Sequence, residues 1–184
     1  MSRLVYSVAC SLDGYNSDAS GGFDWAFPSE QVVAAINDDM EAVSTYLYGR
    51  RMYETMSGWE TEPEWADTPE MERFAAMWQR AEKVVFSRTL DGVVTTRTRL
   101  ERELTRASIE RSLAEAAGDV TIEGPTLAAT AFRLGLVDVV QLLVCPAIVG
   151  GSTRALPDDV RLDLRLTRER RFDNGMVQVT YERA

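Results

Sequence analysis

The sequence predicts an α/β fold with a central, mostly parallel sheet flanked by helices and an antiparallel hairpin at the carboxyl terminus. Short and nearly continuous apolar runs, of which residues 4–10 are the first, are typical of strands buried on both faces of such a sheet. The last alternating segments, 161–170 and 176–181, are joined through an Asp-Asn-Gly sequence, which is a hairpin signal. No linker-like stretch divides the 184 residues, so we expect one domain over residues 1–184.

The charge and hydropathy of the chain exclude some classes of partner. The formal net charge is -9 and no run is rich in Lys or Arg, unlike a nucleic-acid or anionic-membrane surface. No apolar stretch approaches the roughly 20 residues that span a bilayer. The first residues lead directly into a strand with no signal-peptide pattern. We therefore expect a cytoplasmic protein that binds neither nucleic acid nor membrane.

The cysteine and histidine content narrows the chemistry. Cys10 and Cys145 both lie in apolar, strand-like runs, which indicates two buried thiols in a reducing compartment. The chain has no histidine, the commonest general base and metal ligand, so we expect neither a serine-histidine hydrolase nor a metal site. The H-x-E and P-C-x-x-C signature of nucleobase deaminases is also absent.

The first strand leads into a loop at the edge where α/β sheets bind ligands. The run stops at Ser11, Asp13-Gly14 is a strong turn signal, and small and polar residues follow over 16–22. Because this loop leaves the carboxyl end of a buried strand, we expect it to border a ligand site.

A helix with Ser29 as its N-cap follows the loop. Its inward positions recur at helical spacing: Val32, Val33, Ile36, Met40 and Val43. Glu30 lies in the first turn, where a favourable interaction with the helix dipole is sufficient to explain an acid. The functional alternative is a carboxylate that faces a pocket walled by Trp25 and Phe27.

Two further strands end in residues suited to a phosphate. The second predicted strand runs into Gly49-Arg50-Arg51 at the start of a helical turn, and the third stops at Ser87-Arg88. Surface arginines are most often solvated, but guanidinium groups beside a helix start can bind a phosphate with paired donors.

The clearest strand-turn-helix in the chain begins with the β-branched run 120–122, which Glu123 follows. Gly124 lets a ligand approach the backbone, Pro125 has the fixed φ of a first helical position, and Thr126 offers a hydroxyl. The N–H groups of such a helix start attract anions, so the segment is suited to hold a phosphate. The alternative is a well-capped turn without a ligand.

The remaining elements follow from local signals. We predict an irregular segment over 59–65, a helix that begins at Thr68, a short strand over 93–98, a helix from Ser108 with Gly118 as its C-cap, and a long apolar strand over 137–149 that is broken by Pro146.

Four motifs succeed one another along the chain: Ser11-Leu12-Asp13-Gly14-Tyr15, Gly49-Arg50-Arg51-Met52-Tyr53-Glu54, Ser87-Arg88-Thr89-Leu90 and Glu123-Gly124-Pro125-Thr126-Leu127. Together they resemble the dihydrofolate reductase superfamily, and most closely its branch typified by the C-terminal reductase domain of riboflavin biosynthesis, the RibD C-terminal domain. With Gly-Leu-Val-Asp at 135–138 and Pro-Ala-Ile-Val-Gly-Gly from 146, the resemblance covers nearly the whole chain.

The resemblance implies a dihydrofolate reductase-like sheet of eight strands, mostly parallel, that binds NADPH along the strand ends. By position it also assigns the cofactor-binding residues: Gly49, Arg50 and Arg51 to the phosphates, Ser87 and Arg88 to the 2′-phosphate side, Gly124, Pro125 and Thr126 to the pyrophosphate, and Ala9 and Ile122 to the nicotinamide ring.

The resemblance also implies where the substrate binds. The segment from Trp25 to Glu30 is similar to the tryptophan-to-acid segment of dihydrofolate reductases, which places Glu30 at the pterin-binding carboxylate. In the riboflavin branch, Asp13 lies nearer the corresponding region. The chain departs from dihydrofolate reductases at Glu123 and Pro125, where those proteins carry consecutive glycines.

We therefore expect a reductase that uses NADPH, in preference to NADH, to deliver hydride to a small pterin-like or ribityl-pyrimidine-like compound. Glu30 or Asp13 would anchor the heterocycle, and the proton would come from water or from that carboxyl, its pKa raised by burial. The alternative is a catalytically inactive nucleotide-binding module of the same fold, in which Glu30 only caps a helix. The resemblance also implies a homodimer, for which the apolar strand and hairpin near the carboxyl terminus offer surface.

Overall fold

Strands and helices alternate along residues 2–184, which the computed structural model describes. The strands are β1 (Leu4–Ser11), β2 (Tyr15–Ser17), β3 (Val43–Gly49), β4 (Glu82–Phe86), β5 (Thr98–Glu101), β6 (Asp119–Glu123), β7 (Val139–Cys145), β8 (Thr153–Arg154), β9 (Leu164–Arg171) and β10 (Val177–Arg183). The helices are α1 (Glu30–Met40), α2 (Arg50–Met56), α3 (Gly58–Thr61), α4 (Pro69–Arg80), α5 (Arg106–Glu115) and α6 (Pro125–Arg133). Single 3-10 turns cover Asp24–Ala26 and Pro63–Trp65.

The main sheet has eight strands in the order β5-β4-β3-β6-β1-β7-β10-β9. The six strands from β5 to β7 run parallel to one another, whereas β10 is antiparallel to both of its neighbours. The mostly parallel eight-stranded sheet and the C-terminal hairpin are thus confirmed. Because these six strands are parallel, their carboxyl ends meet at one edge of the sheet, which we call the carboxyl edge.

The sheet separates two layers of hydrophobic core. On β1, Tyr6 points to one side, where it packs in a cluster with Ile109 of α5 and Ala131 of α6. Ala9 points to the other side, where it packs in a cluster with Val32 of α1 and Cys145 of β7. This alternation follows from the pleat, which directs successive side chains to opposite faces.

The starts of α4 and α5 are defined by side chains that bond to free backbone N–H groups. The Thr68 hydroxyl accepts a hydrogen bond from the N–H of Met71 at 3.3 Å, as the predicted N-cap requires. The predicted start at Ser108 is wrong by three residues, because Ser108 and Thr105 bond reciprocally in a capping box that makes Thr105 the N-cap. Among residues 2–184, no helix has the length and apolar character needed to cross a membrane.

Gly118 is not the C-cap of α5, which is Ala116. A Cβ at Gly118 would lie 2.3 Å from the carbonyl oxygen of Ala42, so close backbone approach between two loops accounts for this glycine. Val43, predicted on the inward face of α1, begins β3 instead, because α1 ends at Met40.

The predicted strand over 93–98 is also wrong. The Tyr53 hydroxyl accepts hydrogen bonds from the N–H groups of Val94 and Thr95 at 2.7 and 3.2 Å, so these groups are not free to join a neighbouring strand. Strand β5 begins only at Thr98. The segment over 59–65, predicted to be irregular, contains most of α3 and one 3-10 turn.

The regions around β1 and β7 are joined by a short second sheet that the sequence did not indicate. Strand β2 lies in the predicted loop and pairs antiparallel with β8. Strand β7 ends just before Pro146, the predicted break in the run 137–149, because proline has no N–H to donate to a ladder.

Both cysteines are buried and free, as predicted. Cys10 is paired in register with Val144, so it lies beside Cys145 in the sheet but on the opposite face. Burial raises the pKa of the Cys145 thiol to about 11, which keeps it protonated at neutral pH.

Candidate active site

The carboxyl edge of the sheet brings the four sequence motifs together. Strand β4 is followed by Ser87, β3 ends at Gly49, β6 is followed by Gly124, and β1 is followed by Leu12. These strands are consecutive neighbours in the order β4-β3-β6-β1. Since neighbouring strands lie about 4.8 Å apart, residues from distant parts of the chain converge along one short line.

Gly124 begins α6 in a conformation that demands glycine. It is the N-cap, with φ 89° and ψ 120°, where a residue with a side chain is strained. Pro125 follows in the first turn, and the N–H of Ala128 bonds to the carbonyl of Gly124 at 3.0 Å. The N–H groups of Thr126 and Leu127 therefore have no acceptor within the helix. This exposed helix start is suited to an anion.

Gly49 begins α2 next to this helix start. An added Cβ at Gly49 would lie 3.9 Å from Cβ of Leu127, and one at Gly124 would lie 3.8 Å from Cβ of Met52. The beginnings of α2 and α6 are thus in van der Waals reach of each other. Their free N–H groups present two adjacent sets of donors at the same edge.

Arg50 connects α2 to the turn that follows β4. Its Nε donates to Glu54 at 2.7 Å, and one terminal nitrogen donates to the Thr89 hydroxyl at 3.2 Å. Arg51 is exposed and forms no ion pair within residues 2–184. The second and third motifs are therefore brought together, with one guanidinium already directed at the turn and another free.

The turn after β4 is stabilised by hydrogen bonds within the turn and by hydrogen bonds from Arg102. The Ser87 hydroxyl accepts hydrogen bonds from the N–H groups of Thr89 and Leu90 at 3.2 and 3.0 Å, so it shapes the turn. Arg102 donates to the carbonyls of Ser87 and Leu90 at 3.2 and 2.8 Å. Arg88 is exposed at the tip. Sequence reasoning missed Arg102, although an arginine directly after β5 repeats the pattern of a cation at a strand end.

Asp13 joins two loops. Its carboxylate accepts hydrogen bonds from the Ser11 hydroxyl at 2.6 Å and from the N–H groups of Val149 and Gly150 at 3.2 and 2.9 Å. The Ser11 hydrogen bond is the main reason that the pKa of Asp13 lies below its ordinary value. Asp13 is consequently ionised at neutral pH, and its two oxygens hold the loop after β1 to the loop after β7.

Trp25 lies at the end of the same region, packed with Ala9 against the core of α1. Its indole N–H and the Ser29 hydroxyl are buried and have no hydrogen-bond partner among the described residues. Phe27 and Glu30 are exposed, and the Glu30 carboxylate accepts no hydrogen bond within residues 2–184. Ser29 is the N-cap of α1 by position, but its side chain does not cap the helix.

The side chains of Ala9 and Ile122 do not lie together. Ile122 is in register with Tyr6 and is fully buried in the core beside α5 and α6. Ala9 faces α1 on the other side of the sheet. The two side chains therefore lie on opposite faces of the sheet. If Ala9 and Ile122 both border one nicotinamide ring, main-chain atoms at the ends of β1 and β6 would have to make the shared contact.

Glu123, at the end of β6, is the most perturbed acid of the edge. It is in register with Tyr48 and is nearly inaccessible to solvent. Burial raises the pKa of Glu123 to about 8, so the carboxyl is mostly protonated at neutral pH. The sequence signal for it was an acid at the end of a β-branched run, directly before Gly124 and where dihydrofolate reductases carry a glycine.

The edge has two sides of different character. We call residues 49–51, 87–89 and 102 the arginine side, and residues 12–13, 23–30 and 147–148 the apolar side. Glu123 and the start of α6 lie between them. The two concave surfaces found elsewhere, of about 570 and 340 Å³, lie at the opposite edge and are lined by paired charges such as Arg80 with Glu41. We therefore place the candidate site at the carboxyl edge, on chemistry rather than on cavity size.

Comparison with known protein families identifies the family of this chain. The family described as the RibD C-terminal domain matches residues 3–178. The chain therefore belongs to the RibD C-terminal domain family.

Individual relatives share the fold along its whole length. Uncharacterized protein YyaP of Bacillus subtilis (strain 168) is 25% identical over 181 residues, covering 97% of this chain and 94% of its own. A crystal structure of a Shewanella sp. PV-4 protein, provisionally named for riboflavin biosynthesis, has a TM-score of 0.78 at 20% identity, with 99% of each chain covered.

A third relative is larger. The diaminohydroxyphosphoribosylaminopyrimidine deaminase/5-amino-6-(5-phosphoribosylamino)uracil reductase of Thermotoga maritima matches with a TM-score of 0.67 at 14% identity. All of this chain is covered, but it spans only 57% of the Thermotoga maritima chain. At these identities the two crystal structures show the fold alone.

Proposed function

We propose that this chain is an NADPH-dependent reductase that adds hydride to a C=N or C=O bond of a small pterin-like or ribityl-pyrimidine-like compound. The observation that carries the proposal is the convergence of two adjacent helix starts, Gly49 and Gly124, with Arg50, Arg51 and Arg88 at the carboxyl edge. In a chain with a net charge of -9, such a concentration of donors and cations favours a phosphate-rich ligand. Membership of the RibD C-terminal domain family supports the reductase assignment.

The residues present fit a dinucleotide. The positive φ of Gly124 leaves no side chain over the start of α6, and the N–H groups of Thr126 and Leu127 would hold the pyrophosphate. Gly49 and Arg51 would hold further phosphate oxygens. Arg50, which donates to Thr89, and Arg88, which the turn shaped by Ser87 presents, would hold the 2′-phosphate. When bound, NADPH would supply the hydride for the reduction.

The proton that completes the reduction is assigned to Glu123. When hydride adds to the carbon of a C=N or C=O bond, the nitrogen or oxygen must receive a proton. Glu123 is mostly protonated at neutral pH because burial raises its pKa to about 8. It also lies directly before Gly124, at the helix start to which the pyrophosphate is assigned. A neutral buried acid in this place is suited to donate that proton and to be reprotonated from water.

The two carboxylates expected from the sequence differ in whether their oxygens are already hydrogen-bonded. Asp13 is ionised and its oxygens are occupied by Ser11 and by two backbone N–H groups, so it is suited to hold the loops that border the substrate. Glu30 is exposed at the start of α1 with no protein partner among the described residues, so it is free to accept N–H groups of a heterocycle. We assign substrate anchoring to Glu30 and loop positioning to Asp13.

An inactive nucleotide-binding module is the second candidate, favoured by the exposure of Glu30 and by its place in the first turn of α1, where an acid is stabilised by the helix dipole. The two candidates are separated by measuring NADPH binding by calorimetry and NADPH oxidation against dihydrofolate and the riboflavin-pathway pyrimidine. Binding with turnover of either compound supports the reductase. Binding without turnover of any offered compound supports the module. We also propose a homodimer, which light scattering at micromolar concentration tests.

A further inference from the structure

The apolar side of the carboxyl edge carries large side chains in contact with solvent. Leu12, Phe23, Phe27 and Ile148 are 66%, 54%, 75% and 76% exposed. Leu12 and Ile148 belong to loops that are bonded together, since the N–H of Leu12 donates to the carbonyl of Ala147 at 2.7 Å. Phe23 and Phe27 flank the 3-10 turn whose Trp25 packs beneath them in the core at the ends of β1 and β7. Apolar groups gathered in one region mark a ligand or partner surface.

The charged groups of this side are acids. Residues 12–30 include four acids and neither Lys nor Arg, and residues 145–152 carry no charge: the acids are Asp13, Asp18, Asp24 and Glu30. Hydrogen bonds, first from Ser11 and Ser20 respectively, keep the pKa values of Asp13 and Asp18 below their ordinary values. Both are therefore negative at neutral pH. The surface on which a substrate would lie combines apolar side chains with a negative potential.

Nearby cations are engaged or distant. Arg154 stacks on the ring of Tyr15, 4.8 Å from its centroid, and faces Asp158 at 3.7 Å. Arg171 ends β9, two strands beyond β7 and thus about 10 Å away in the sheet. The free guanidinium groups of Arg51 and Arg88 lie on the arginine side, where the proposed cofactor requires them.

A phosphorylated substrate would therefore place its charge against acids without a compensating cation. We propose that the substrate of this chain is an unphosphorylated heterocycle, neutral or cationic, whose apolar ring face lies on Leu12, Phe27 and Ile148. This inference rests on the reductase function proposed above and specifies its substrate class. It separates this chain from the Thermotoga maritima protein, whose name specifies a phosphoribosyl substrate.

Two matched pairs of compounds test the proposal: 5-amino-6-(5-phosphoribosylamino)uracil with its dephosphorylated form, and 7,8-dihydroneopterin with its monophosphate. Binding to the cofactor-free protein is measured by calorimetry, and kcat/KM is measured with NADPH. In at least one pair, we expect the phosphorylated member to bind at least about tenfold more weakly. The ratio should shrink with added salt, because screening reduces repulsion between charges near the surface.

Two variants test whether the apolar side causes the weaker binding of phosphorylated compounds. Ile148→Arg adds a cation to the apolar side and should improve binding of the phosphorylated member by about tenfold. Val94→Arg is the matched control, because Val94 is 73% exposed but lies in the loop before β5. It should leave the ratio unchanged. A ratio that responds equally to both variants would show that net charge, and not this surface, causes the discrimination, and would overturn the proposal.

The remaining outcomes separate this inference from the function on which it rests. Equal or tighter binding of the phosphorylated members, with NADPH oxidation, would overturn the substrate class and leave the reductase intact. Selective binding of the unphosphorylated members without any NADPH oxidation would support the substrate class and contradict the reductase. Failure of all four compounds to bind would overturn the assignment of the apolar side to a substrate of this class.

Discussion

On the arginine side of the carboxyl edge, Arg50 and Arg102 donate to the turn that follows β4, whereas on the apolar side Leu12 and Ile148 face solvent. The first side has exposed cations, and the second has acids that hold its own loops together. A ligand that spans the edge must therefore be strongly anionic at one end and apolar at the other. A dinucleotide beside a neutral heterocycle has this distribution of charge.

Between the two sides lies a single buried acid, Glu123, whose substitution by glutamine should have the largest effect on turnover. We expect Glu123→Gln to lower kcat by about 100- to 10,000-fold, which is the range of a general acid. NADPH affinity should change little, because the amide has the same shape as the carboxyl. Stopped-flow NADPH oxidation and calorimetry measure the two quantities, and Glu72→Gln, the same replacement at an exposed acid of α4, serves as the control.

The role of Glu123 as a proton donor predicts the direction in which turnover changes with pH. The protonated form of Glu123 is required, so turnover should be present below pH 8 and lost as the pH rises through the pKa of about 8. The same raised pKa means that the folded state loses stability as the pH rises from the unfolded value through 8. Glu123→Gln should remove both dependences. A wild-type profile that is flat from pH 6 to pH 9 would contradict the role of Glu123.

The next largest effect is expected from a substitution at Gly124, the N-cap of α6. Gly124→Ala places a side chain at φ 89°, which costs about 1–3 kcal/mol of stability and shifts the start of α6. NADPH affinity should fall by at least about tenfold, because the free N–H groups move away from the phosphate. Gly92→Ala is the control, since Gly92 has no positive φ and no neighbour within 4 Å of an added Cβ. Unaltered affinity in a folded Gly124→Ala protein would place the pyrophosphate elsewhere.

On the arginine side, Arg50→Ala and Arg88→Ala should each reduce the preference for NADPH over NADH. A charge-assisted hydrogen bond contributes about 1.5–3 kcal/mol, so each loss should lower NADPH affinity by about tenfold or more and leave NADH affinity nearly unchanged. Arg171→Ala, at the far end of the sheet, controls for the change in net charge. Equal loss of both cofactors would indicate a general phosphate contact, and no loss would show that these residues do not contact the 2′-phosphate.

The smallest effect is expected from Arg102→Ala. Arg102 bonds to the carbonyls of Ser87 and Leu90, so its loss should loosen the turn that presents Arg88 and weaken NADPH binding by about three- to tenfold. Because the residue acts through the turn, the variant should also increase amide hydrogen exchange at Thr89 and Leu90. Arg161→Ala, which removes an exposed arginine from the loop before β9, is the control and should change neither quantity. Weaker binding with unchanged exchange would make Arg102 a direct contact instead.

The features of the site that could be predicted from the sequence are those decided by local chemistry. Gly49 and Gly124 were recognisable because a glycine between a strand and a helix usually marks a place where the backbone must stay free of a side chain. Parallel strands then bring both glycines to one edge. The same reasoning located Arg50, Arg51 and Arg88. The fold class followed from the apolar runs and from the hairpin signal.

The features that were missed depend on contacts between distant segments. The Asp13 carboxylate binds N–H groups more than 130 residues away, at Val149 and Gly150, and nothing in its own motif indicates these partners. The burial that raises the pKa of Glu123 arises from packing around β3 and β6, and the pairing of β2 with β8 arises from the loop contacts. The opposite orientations of Ala9 and Ile122 became evident only with the register of β1 and β6.

The central claim, that the carboxyl edge binds NADPH through its arginine side, is tested most directly by calorimetric titration of the wild-type protein with NADPH and with NADH. We expect saturable binding of NADPH and an affinity for NADH lower on the order of a hundredfold, the sum of two charge-assisted contacts to the 2′-phosphate. No detectable binding of NADPH, or equal affinities for the two cofactors, would contradict this claim.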